Sequence, residues 1–322
     1  MRSDPPSIAL EASLKASVVV PVRNRPDLLA ATLASLVDQD IPAQDYEIVV
    51  CDDGSVDDIG NVLARFAGAD ACVRLERQPP IGPAAARNLG IRQSRAPIVI
   101  FVDSDVVVDR CLVSSLVGAL AAQPQWQGAE AALLPSGKDT GLLWDAPASL
   151  EGGHYHTAAI AYRREALVAA GGFDETFKLP ACEDVELALR VLARGAIGFV
   201  PEAKAWHPRR KVTARMHWRW RRHWRYETIL AQRYGILAFP GRSCGPFPRL
   251  RVAFAAVVTL PGGRLLSALR ASLRAPAEAG PAALYALLDV VCGLVVLPDI
   301  LFGPVPARQD YLNGWTIARS RR

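Results

Sequence analysis

Three short apolar runs in the first third of the chain predict buried strands. They lie at 16–20, 46–51 and 97–102 and carry few polar residues. Uninterrupted runs of this kind are typical of parallel strands that helices cover on both faces. Helix-like sequence follows the first two runs, at 26–37 and 56–66. This β-α-β-α-β order predicts a doubly wound sheet.

Charged and turn-forming residues follow each of these runs. Pro21-Val-Arg-Asn-Arg25 follows the first run, Asp52-Asp-Gly-Ser55 the second and Asp103-Ser-Asp105 the third. Open α/β sheets bind ligands at the carboxyl ends of their strands, so the three segments are predicted to border one crevice. An Asp-x-Asp pair there suits a divalent cation that bridges to phosphates. Because Asp-Ser-Asp is also a common turn, the pair alone leaves both interpretations open.

Composition limits the class of protein. A chain of 322 residues can form one large domain with an appendage, or two modest domains. Its 21% charged and 51% hydrophobic residues argue against disorder. Asp4, Pro5, Pro6, Glu11 and Lys15 do not fit a signal peptide. The six cysteines lack C-x-x-C spacing, which favours free thiols in a reducing compartment over a disulfide framework or a zinc ribbon.

Positive charge is concentrated in one window. Residues 201–250 hold 12 Lys and Arg against 2 Glu, together with four of the seven tryptophans. Basic residues mixed with aromatic ones are consistent with nucleic acid, an anionic membrane surface or a lid over a phosphorylated ligand. A solvated helix whose tryptophans pack on the main domain is the simpler alternative.

A second informative stretch lies between residues 150 and 207. Its turn 151–156 contains His154 and His156, which we interpret as loop or acceptor-site residues rather than metal ligands. Residues 182–195 predict an amphipathic helix with Val185, Leu189 and Leu192 on its buried face. Glu183 and Asp184 stand at the start of this helix, where they either complement the helix dipole or belong to a functional site.

The order of short motifs along residues 16–210 resembles that of family 2 glycosyltransferases of the GT-A fold. The motifs are PVRNR, CDDGS, AARNLG, FVDSD, GGFDETF, CEDVELALR and AWHP. The resemblance implies an α/β GT-A domain over residues 1–212, with a Rossmann-like, doubly wound and mostly parallel sheet and helices on both faces. Residues 213–322 are then expected to form a basic-aromatic and apolar helical tail.

The resemblance also implies an activity. Such enzymes transfer a sugar from a nucleoside diphosphate to an acceptor hydroxyl with inversion at the anomeric carbon. We expect a UDP-type donor and a role in the glycosylation of cell-surface glycans, glycolipids or natural products. By position in the motifs, the residues implied in nucleotide-sugar binding are Pro21, Arg23, Asp52, Asp53, Arg87 and Asp103.

The same motifs imply which residues bind the metal ion and which residue acts as the catalytic base. Asp103, Asp105 and His207 match the expected cation ligands, and the imidazole mildly favours Mn²⁺ over Mg²⁺. Asp184 matches the catalytic base, which takes the proton of the acceptor hydroxyl. Its neighbour Glu183, together with the two histidines of the turn, is expected on the acceptor side.

Some features separate this chain from other classes. Ala159 stands where many relatives carry Asn, so the resemblance does not assign acceptor contacts to that strand. No Gln-x-x-Arg-Trp motif of processive polymerases is present, which favours transfer of one sugar per encounter. The first strand lacks the Gly-x-Gly-x-x-Gly of nicotinamide enzymes and the Gly-rich loop of sugar-phosphate nucleotidyltransferases. A catalytically silent nucleotide-sugar-binding relative is the alternative that stays open.

The apolar segments of the tail allow two interpretations. Residues 252–260 are too few to span a bilayer, and Asp289, Pro298 and Asp299 interrupt residues 282–302. A buried helix pair is one interpretation. The other is attachment to an anionic membrane surface, with tryptophans at the headgroups and with basic residues toward the lipid: Arg219, Arg221, Arg222 and Arg225. We expect a cytoplasmic protein without a nucleic-acid partner, and peripheral attachment to the inner face of the membrane under the second interpretation.

Overall fold

The computed structural model describes most of the chain in two compact units. Described are residues 14–70, 72–139, 141, 143–236, 238, 247–271 and 276–308, with the backbone of two short strands at 7–9 and 316–318. The first unit contains residues 1–136, 147–208 and 308–322, and the second contains 137–146 and 209–307. No disulfide joins cysteines of the described residues, and Cys244 lies outside them.

The strands are β1 Ser7–Ala9, β2 Ala16–Val22, β3 Tyr46–Asp53, β4 Cys72–Gln78, β5 Ile98–Val102, β6 Val107–Val108, β7 Trp126–Ser136, β8 Trp144–Asp145, β9 Ala159–Arg163, β10 Ala196–Pro208, β11 Arg210–Lys211 and β12 Thr316–Ala318. The helices are α1 Pro26–Val37, α2 Ile59–Ala64, α3 Pro83–Gln93, α4 Leu112–Ala122, α5 Arg164–Ala170, α6 Glu183–Leu192, α7 Ala214–Trp220, α8 His223–Tyr234, α9 Pro248–Phe254, α10 Leu260–Ala271 and α11 Pro276–Phe302. A 3₁₀ turn covers Ala43–Asp45, and a π-helical turn, Ala255–Thr259, joins α9 to α10.

An eight-stranded sheet organises the first unit, in the order β4-β3-β2-β5-β9-β7-β10-β6. The strands β4, β3, β2 and β5 pair in parallel, as do β7 and β10. Antiparallel pairing joins β9 to β5 and to β7, and β6 to β10. The predicted doubly wound, mostly parallel sheet is therefore confirmed.

Alternate residues of the central strands enter two different cores. Val18, Ile48 and Ile100 pack with leucines of α1 and α4 on one face. On the other face, Val19 and Phe101 pack with side chains of α3, α5 and α6. Successive side chains of a strand point to opposite faces, so an unbroken apolar run is what a sheet covered on both sides requires.

The helix α6 confirms the predicted element but not its predicted buried face. Its fully buried apolar side chains are Leu187, Ala188 and Val191, of which Leu187 and Val191 belong to the second core. Val185, Leu189 and Leu192 are only partly buried. The buried face differs from the predicted one because Glu183 is buried and ion-paired in the site described below, which sets the orientation of the helix.

Helices form most of the second unit. A small core joins α8, α9, the π-helical turn and α11, and includes Ala231, Val252 and Ile300. Within the same unit, His217 of α7 lies against Asp289 of α11, which also pairs with Arg264 of α10. These polar contacts hold the middle of α11 against the two other helices.

Two helices of this unit are long and apolar enough to cross a membrane by length and composition. They are Pro248–Leu269, with 22 residues, and Gly280–Phe302, with 23. The first is longer than residues 252–260 suggested, since the flanking turns continue the helix. Of their most apolar stretches, 28% and 33% are buried inside the structure.

Candidate active site

The strand ends bring together four acids, here named the strand-end carboxylates: Asp52, Asp53, Asp103 and Asp105. Three of them are less than 6% exposed, and Asp103 is partly exposed. Parallel pairing of β2 with β3 and β5 puts the corresponding strand ends side by side. The predicted common edge is therefore what the structure shows.

Asp53 and Asp52 hold the turns around the end of β3. Asp53 Oδ1 accepts hydrogen bonds from the N–H groups of Ile81 and Gly82, at 2.9 and 3.1 Å. Asp52 Oδ1 accepts one from Ser55 N at 2.9 Å. These bonds fix the carboxylates in one orientation, because each acceptor is tied to backbone donors.

Arginines lie against both acids. Arg23 Nη1 is 3.9 Å from Asp53 Oδ2, and its side chain is 53% exposed. Pro21, which is half-buried, is in register with the residue that precedes Asp52. Arg77 Nε lies 3.4 Å from Asp52 Oδ2. Pro21 and Arg23, which were predicted to bind the donor at the end of β2, thus lie beside the acids at the end of β3.

Arg87 joins the end of β5 to the start of α6. Its Nη2 donates to Asp103 Oδ1 at 2.9 Å, and its Nη1 donates to Glu183 Oε1 at 2.8 Å. Burial would lower the pKa of Arg87, but the two carboxylates outweigh it and raise that pKa. Arg87 Nε and Glu183 Oε2 are buried without a hydrogen-bond partner in the protein. Buried polar atoms of this kind are costly unless a ligand or water satisfies them.

Asp105 meets His207, which arrives from the distant strand β10. Asp105 Oδ1 lies 3.7 Å from His207 Nε2, and Asp105 Oδ2 accepts a hydrogen bond from Arg25 at 2.8 Å. The Pro208 carbonyl lies 2.9 Å from His207 Nδ1 and can accept its proton, which leaves the Nε2 lone pair toward Asp105. Burial lowers the pKa of His207 and so favours the neutral imidazole that a metal requires.

Asp105 and His207 provide part of the ligand set of a divalent cation. A carboxylate and a neutral imidazole face each other, and such a pair suits Mn²⁺. Asp103 is instead paired with Arg87. Across the described ranges, no cluster of three or more His, Cys, Asp or Glu side chains has the arrangement of a metal centre.

Asp184 lies at the start of α6, next to the residue that Arg87 holds. Its Oδ1 accepts from Val185 N at 2.8 Å, and its Oδ2 lies 3.7 Å from His156 Nδ1. Burial would raise the pKa of Asp184, but His156, the N–H of Val185 and the charge of Arg87 together outweigh it and lower that pKa. The interaction between Asp184 and His156 outweighs the burial of His156 and raises the pKa of its imidazole.

The pKa of Glu183 is shifted in the opposite direction. Burial, opposed by the charge of Arg87 and reinforced by that of Asp184, raises the pKa of Glu183 to about 7. Two adjacent acids therefore have pKa values pushed apart, a pattern that accompanies proton transfer in active sites.

The two histidines of the turn lie together. The rings of His154 and His156 are stacked, with centroids 5.6 Å apart. His156 is the one that contacts Asp184, so the structure brings a predicted acceptor residue next to the predicted base.

Two contributors were not recognised from the sequence. Arg25 was quoted only as part of a motif, yet it neutralises Asp105. Glu130 of β7 is buried and binds the turn that carries the histidines. A glutamate within an otherwise small and apolar strand, in Gly128-Ala-Glu-Ala-Ala132, is the signal that could have indicated a buried polar role.

The comparison with protein families agrees with this geometry. Residues 17–125, which contain all four strand-end carboxylates, match the family described as glycosyl transferase family 2. This segment, about a third of the chain, is similar to that family. The resemblance found in the motifs is thereby confirmed.

Curated relatives match parts of the chain at higher identity than the solved structures do. A pre-mycofactocin glycosyltransferase of Mycobacterium tuberculosis is 32% identical over 212 residues, which is 60% of this chain and 43% of the relative. A poly(ribitol-phosphate) beta-glucosyltransferase of Bacillus spizizenii is 39% identical over 94 residues, or 29% of this chain and 15% of the relative. The chain thus spans less than half the length of these relatives.

Solved structures show the same fold. The mannosyltransferase PcManGT of Pyrobaculum calidifontis, in complex with GDP-Man and Mn²⁺, matches with a TM-score of 0.58 and 19% identity over 91% of both chains. TarS 1-349 of S. aureus, in complex with UDP-GlcNAc, matches with a TM-score of 0.55 and 17% identity over 94% of this chain and 89% of the other. At this level of identity the similarity establishes the GT-A fold alone.

Proposed function

We propose that this chain is an inverting glycosyltransferase that moves a sugar from a nucleoside diphosphate to an acceptor hydroxyl. The observation that carries the proposal is the Asp103–Arg87–Glu183 connection. It ties the strand-end carboxylates to the residue beside Asp184. The groups that we propose for leaving-group stabilisation and for base catalysis would thereby meet at one edge of the sheet, as a single displacement requires.

The donor would bind along the ends of β2, β3 and β5. Asp53 and Asp52, with Pro21 and Arg23 beside them, would contact base and ribose. Arg87 and Asp103 would lie nearer the diphosphate. We favour a UDP-type donor; the structural relatives described above are complexes with GDP-Man and with UDP-GlcNAc.

A divalent cation, Mn²⁺ or Mg²⁺, would be held by Asp105 and His207, and Asp103 would contact either the ribose or the cation. When bound, such an ion stabilises negative charge on the departing diphosphate. Arg25 neutralises Asp105 in the structure described here. We propose that Arg25 turns to the phosphates when Asp105 takes the cation.

Asp184 would accept the proton of the acceptor hydroxyl. Its lowered pKa keeps it ionised near neutral pH, and Val185 N holds one of its oxygens in place. The other oxygen faces His156, and we propose that the acceptor hydroxyl binds next to this imidazole. Direct displacement needs one base and no covalent intermediate.

Assays of the wild-type chain test this function first. A panel of nucleotide sugars with Mn²⁺ is expected to raise the melting temperature for the true donor, because a ligand that binds the folded state stabilises it. Hydrolysis of that donor to nucleoside diphosphate and free sugar is then expected, and a chelator is expected to abolish it. Donor binding without turnover would favour the catalytically silent relative instead.

The second unit supports attachment to a membrane surface. From residue 252 to residue 269, and from 280 to 297, the exposed described side chains are uncharged, and five of the large ones are Leu266, Leu269, Leu284, Leu287 and Leu294. The charged residues of these stretches, Arg264 and Asp289, pair with each other and with His217 of α7. The side of the two helices that carries these charges is therefore covered by protein. A continuous set of exposed apolar side chains on such helices marks an interaction site.

We propose that this apolar surface enters one leaflet, with the arginines of α7 and α8 toward anionic headgroups. A spanning arrangement would place Asp289 near the bilayer centre, which costs about 2.5–3.5 kcal/mol on insertion scales. Such attachment would bring the crevice to a lipid-linked acceptor on the cytoplasmic face.

Vesicle flotation tests the attachment. The double variant Leu284→Glu, Leu287→Glu is expected to lose binding to neutral and anionic vesicles alike. Replacing Arg219, Arg221, Arg222 and Arg225 by Gln is expected to remove only the extra, salt-sensitive affinity for anionic vesicles. Leu28→Glu, on exposed surface of α1, is the control. Failure of the wild type to float with any vesicle at low salt would contradict this proposal.

A further inference from the structure

Glu130 of β7 is a buried acid whose bonds all go to one short segment. Its Oε1 accepts from Ser149 Oγ at 2.6 Å and from Tyr155 N at 3.0 Å, and its Oε2 accepts from Gly153 N at 2.7 Å. A buried carboxylate is stable only when such donors satisfy it. Glu130 and the turn therefore depend on each other.

The turn adopts a conformation that needs support. Gly152 and Gly153 have φ values of +79° and +85°, and Tyr155 has a φ of +58°. A tyrosine in the left-handed region is strained and persists only where neighbouring structure holds it. Glu130 binds the N–H groups of Gly153 and Tyr155, on either side of His154.

This turn places His156 beside Asp184, the proposed base. His156 Nδ1 lies 3.7 Å from Asp184 Oδ2, and the ring of His154 stacks on that of His156. Glu130 lies 23 and 25 positions along the chain from Gly153 and Tyr155, and His156 lies 28 from Asp184, so these contacts are not local in sequence.

A second buried glutamate shows what a purely structural acid does in this sheet. Glu47 of β3 accepts from Ser17 Oγ at 2.7 Å and from Arg74 and Arg95 side chains. Those partners lie on β2, β4 and the segment before β5, and they fasten strands to each other. Glu130 instead fastens a strand to the histidine-bearing turn.

We propose that Glu130 is a positioning residue for transfer: by fixing the turn 151–156 it holds His156 against Asp184, and the turn forms the acceptor side of the site. The inference rests on the proposed function. Glu130 touches neither substrate, so its effect passes through His156. Donor binding at the strand ends does not depend on it.

Glu130→Gln tests the proposal with little change in volume. One carboxylate oxygen becomes an NH₂ group, which cannot accept the N–H of the turn. Hydrolysis of the donor selected by thermal shift is expected to fall about tenfold or more, since small misplacement of a reacting group has effects of that order. The affinity for the nucleoside diphosphate, measured by calorimetry, is expected to stay unchanged.

Coupling to His156 distinguishes positioning from simple destabilisation. In a His156→Gln background, Glu130→Gln is expected to have almost no further effect on hydrolysis. Glu47→Gln is the matched control; it is expected to lower the melting temperature without this coupling. Independent, multiplying effects of Glu130→Gln and His156→Gln would overturn the proposal.

One further measurement covers both a Glu130→Gln variant that folds poorly and a chain without turnover. Gly153→Ala strains the turn at a position with open space around the new methyl group, and it keeps the charge of Glu130. In protein labelled with ¹⁵N-histidine, the ring signals of His156 are expected to move in Gly153→Ala and stay in place in Ser149→Ala, which leaves the two backbone bonds intact. An unmoved His156 signal in Gly153→Ala would contradict the inference even if no nucleotide sugar were hydrolysed.

Discussion

The strand-end carboxylates and Asp184 differ in the counter-charge that each has. Every strand-end acid lies within 4 Å of an arginine, in the pairs Asp52–Arg77, Asp53–Arg23, Asp103–Arg87 and Asp105–Arg25. Asp184 faces a histidine instead. Arginine keeps its charge at any working pH, whereas histidine titrates near neutrality.

This difference suggests a division of labour. Fixed cations beside the strand ends can exchange an aspartate for a phosphate without any change in protonation. The pair of Asp184 and His156 can change protonation, as a proton-accepting site must. We therefore expect donor binding to depend on ion pairs and transfer to depend on pH.

The largest expected effect is the loss of the base. Asp184→Asn is expected to fold and to bind donor normally, and to lower the turnover of transfer by roughly 10²-fold or more. Steady-state rates and donor calorimetry on the same preparation measure both quantities. Glu165→Gln, which removes an acid from the first turn of α5, is the control. Turnover like that of the wild type would show that Asp184 is not the base.

Loss of a strand-end carboxylate should act on donor binding. Asp105→Asn removes the acid that faces His207, and we expect metal-dependent donor affinity to fall by at least about tenfold. Asp103→Asn is expected to have a smaller effect, because Asp103 is paired with Arg87. Calorimetry with and without chelator measures both. Donor affinity that is independent of chelator in all variants would rule out the metal site.

A moderate effect on the pH profile is expected from His156→Gln. His156 lowers the pKa of Asp184, so its removal lets that pKa rise. Transfer is lost as pH falls through the pKa of the base, and the acid limb should therefore move to higher pH. His154→Gln, which removes a stacked ring but not this contact, should leave the limb in place. An unchanged limb in His156→Gln would mean that the pair does not control the base.

The smallest effect is expected at the edge of the strand-end cluster. Arg77, with 58% of its side chain exposed, pairs with Asp52 at 3.4 Å. Exposed ion pairs contribute little, so Arg77→Gln should change the free energy of unfolding by less than about 1 kcal/mol. Urea unfolding measures this change. A larger loss would place Arg77 among the groups that hold the site together.

Most of the fold could be predicted from the sequence because its signals are local. An apolar run such as 97–102 indicates a strand buried on both faces, and the acids at its end then lie at the sheet edge. Asp103 and Asp105 need only their own strand to reach the site. The buried face of α6 could not be predicted in this way, since a tertiary partner, Arg87, allows Glu183 to point inward.

Sequence by itself determined the order of elements, the two covered faces of the sheet and the acids at the strand ends, because backbone geometry fixes these within a few residues. Only the tertiary structure decided which charge faces which. Arg25 pairs with Asp105, and His156 lies against Asp184. Glu130 accepts hydrogen bonds from the turn that carries His156. These contacts join segments that are far apart in the chain, and burial makes each one selective, because a buried charge must find its partner.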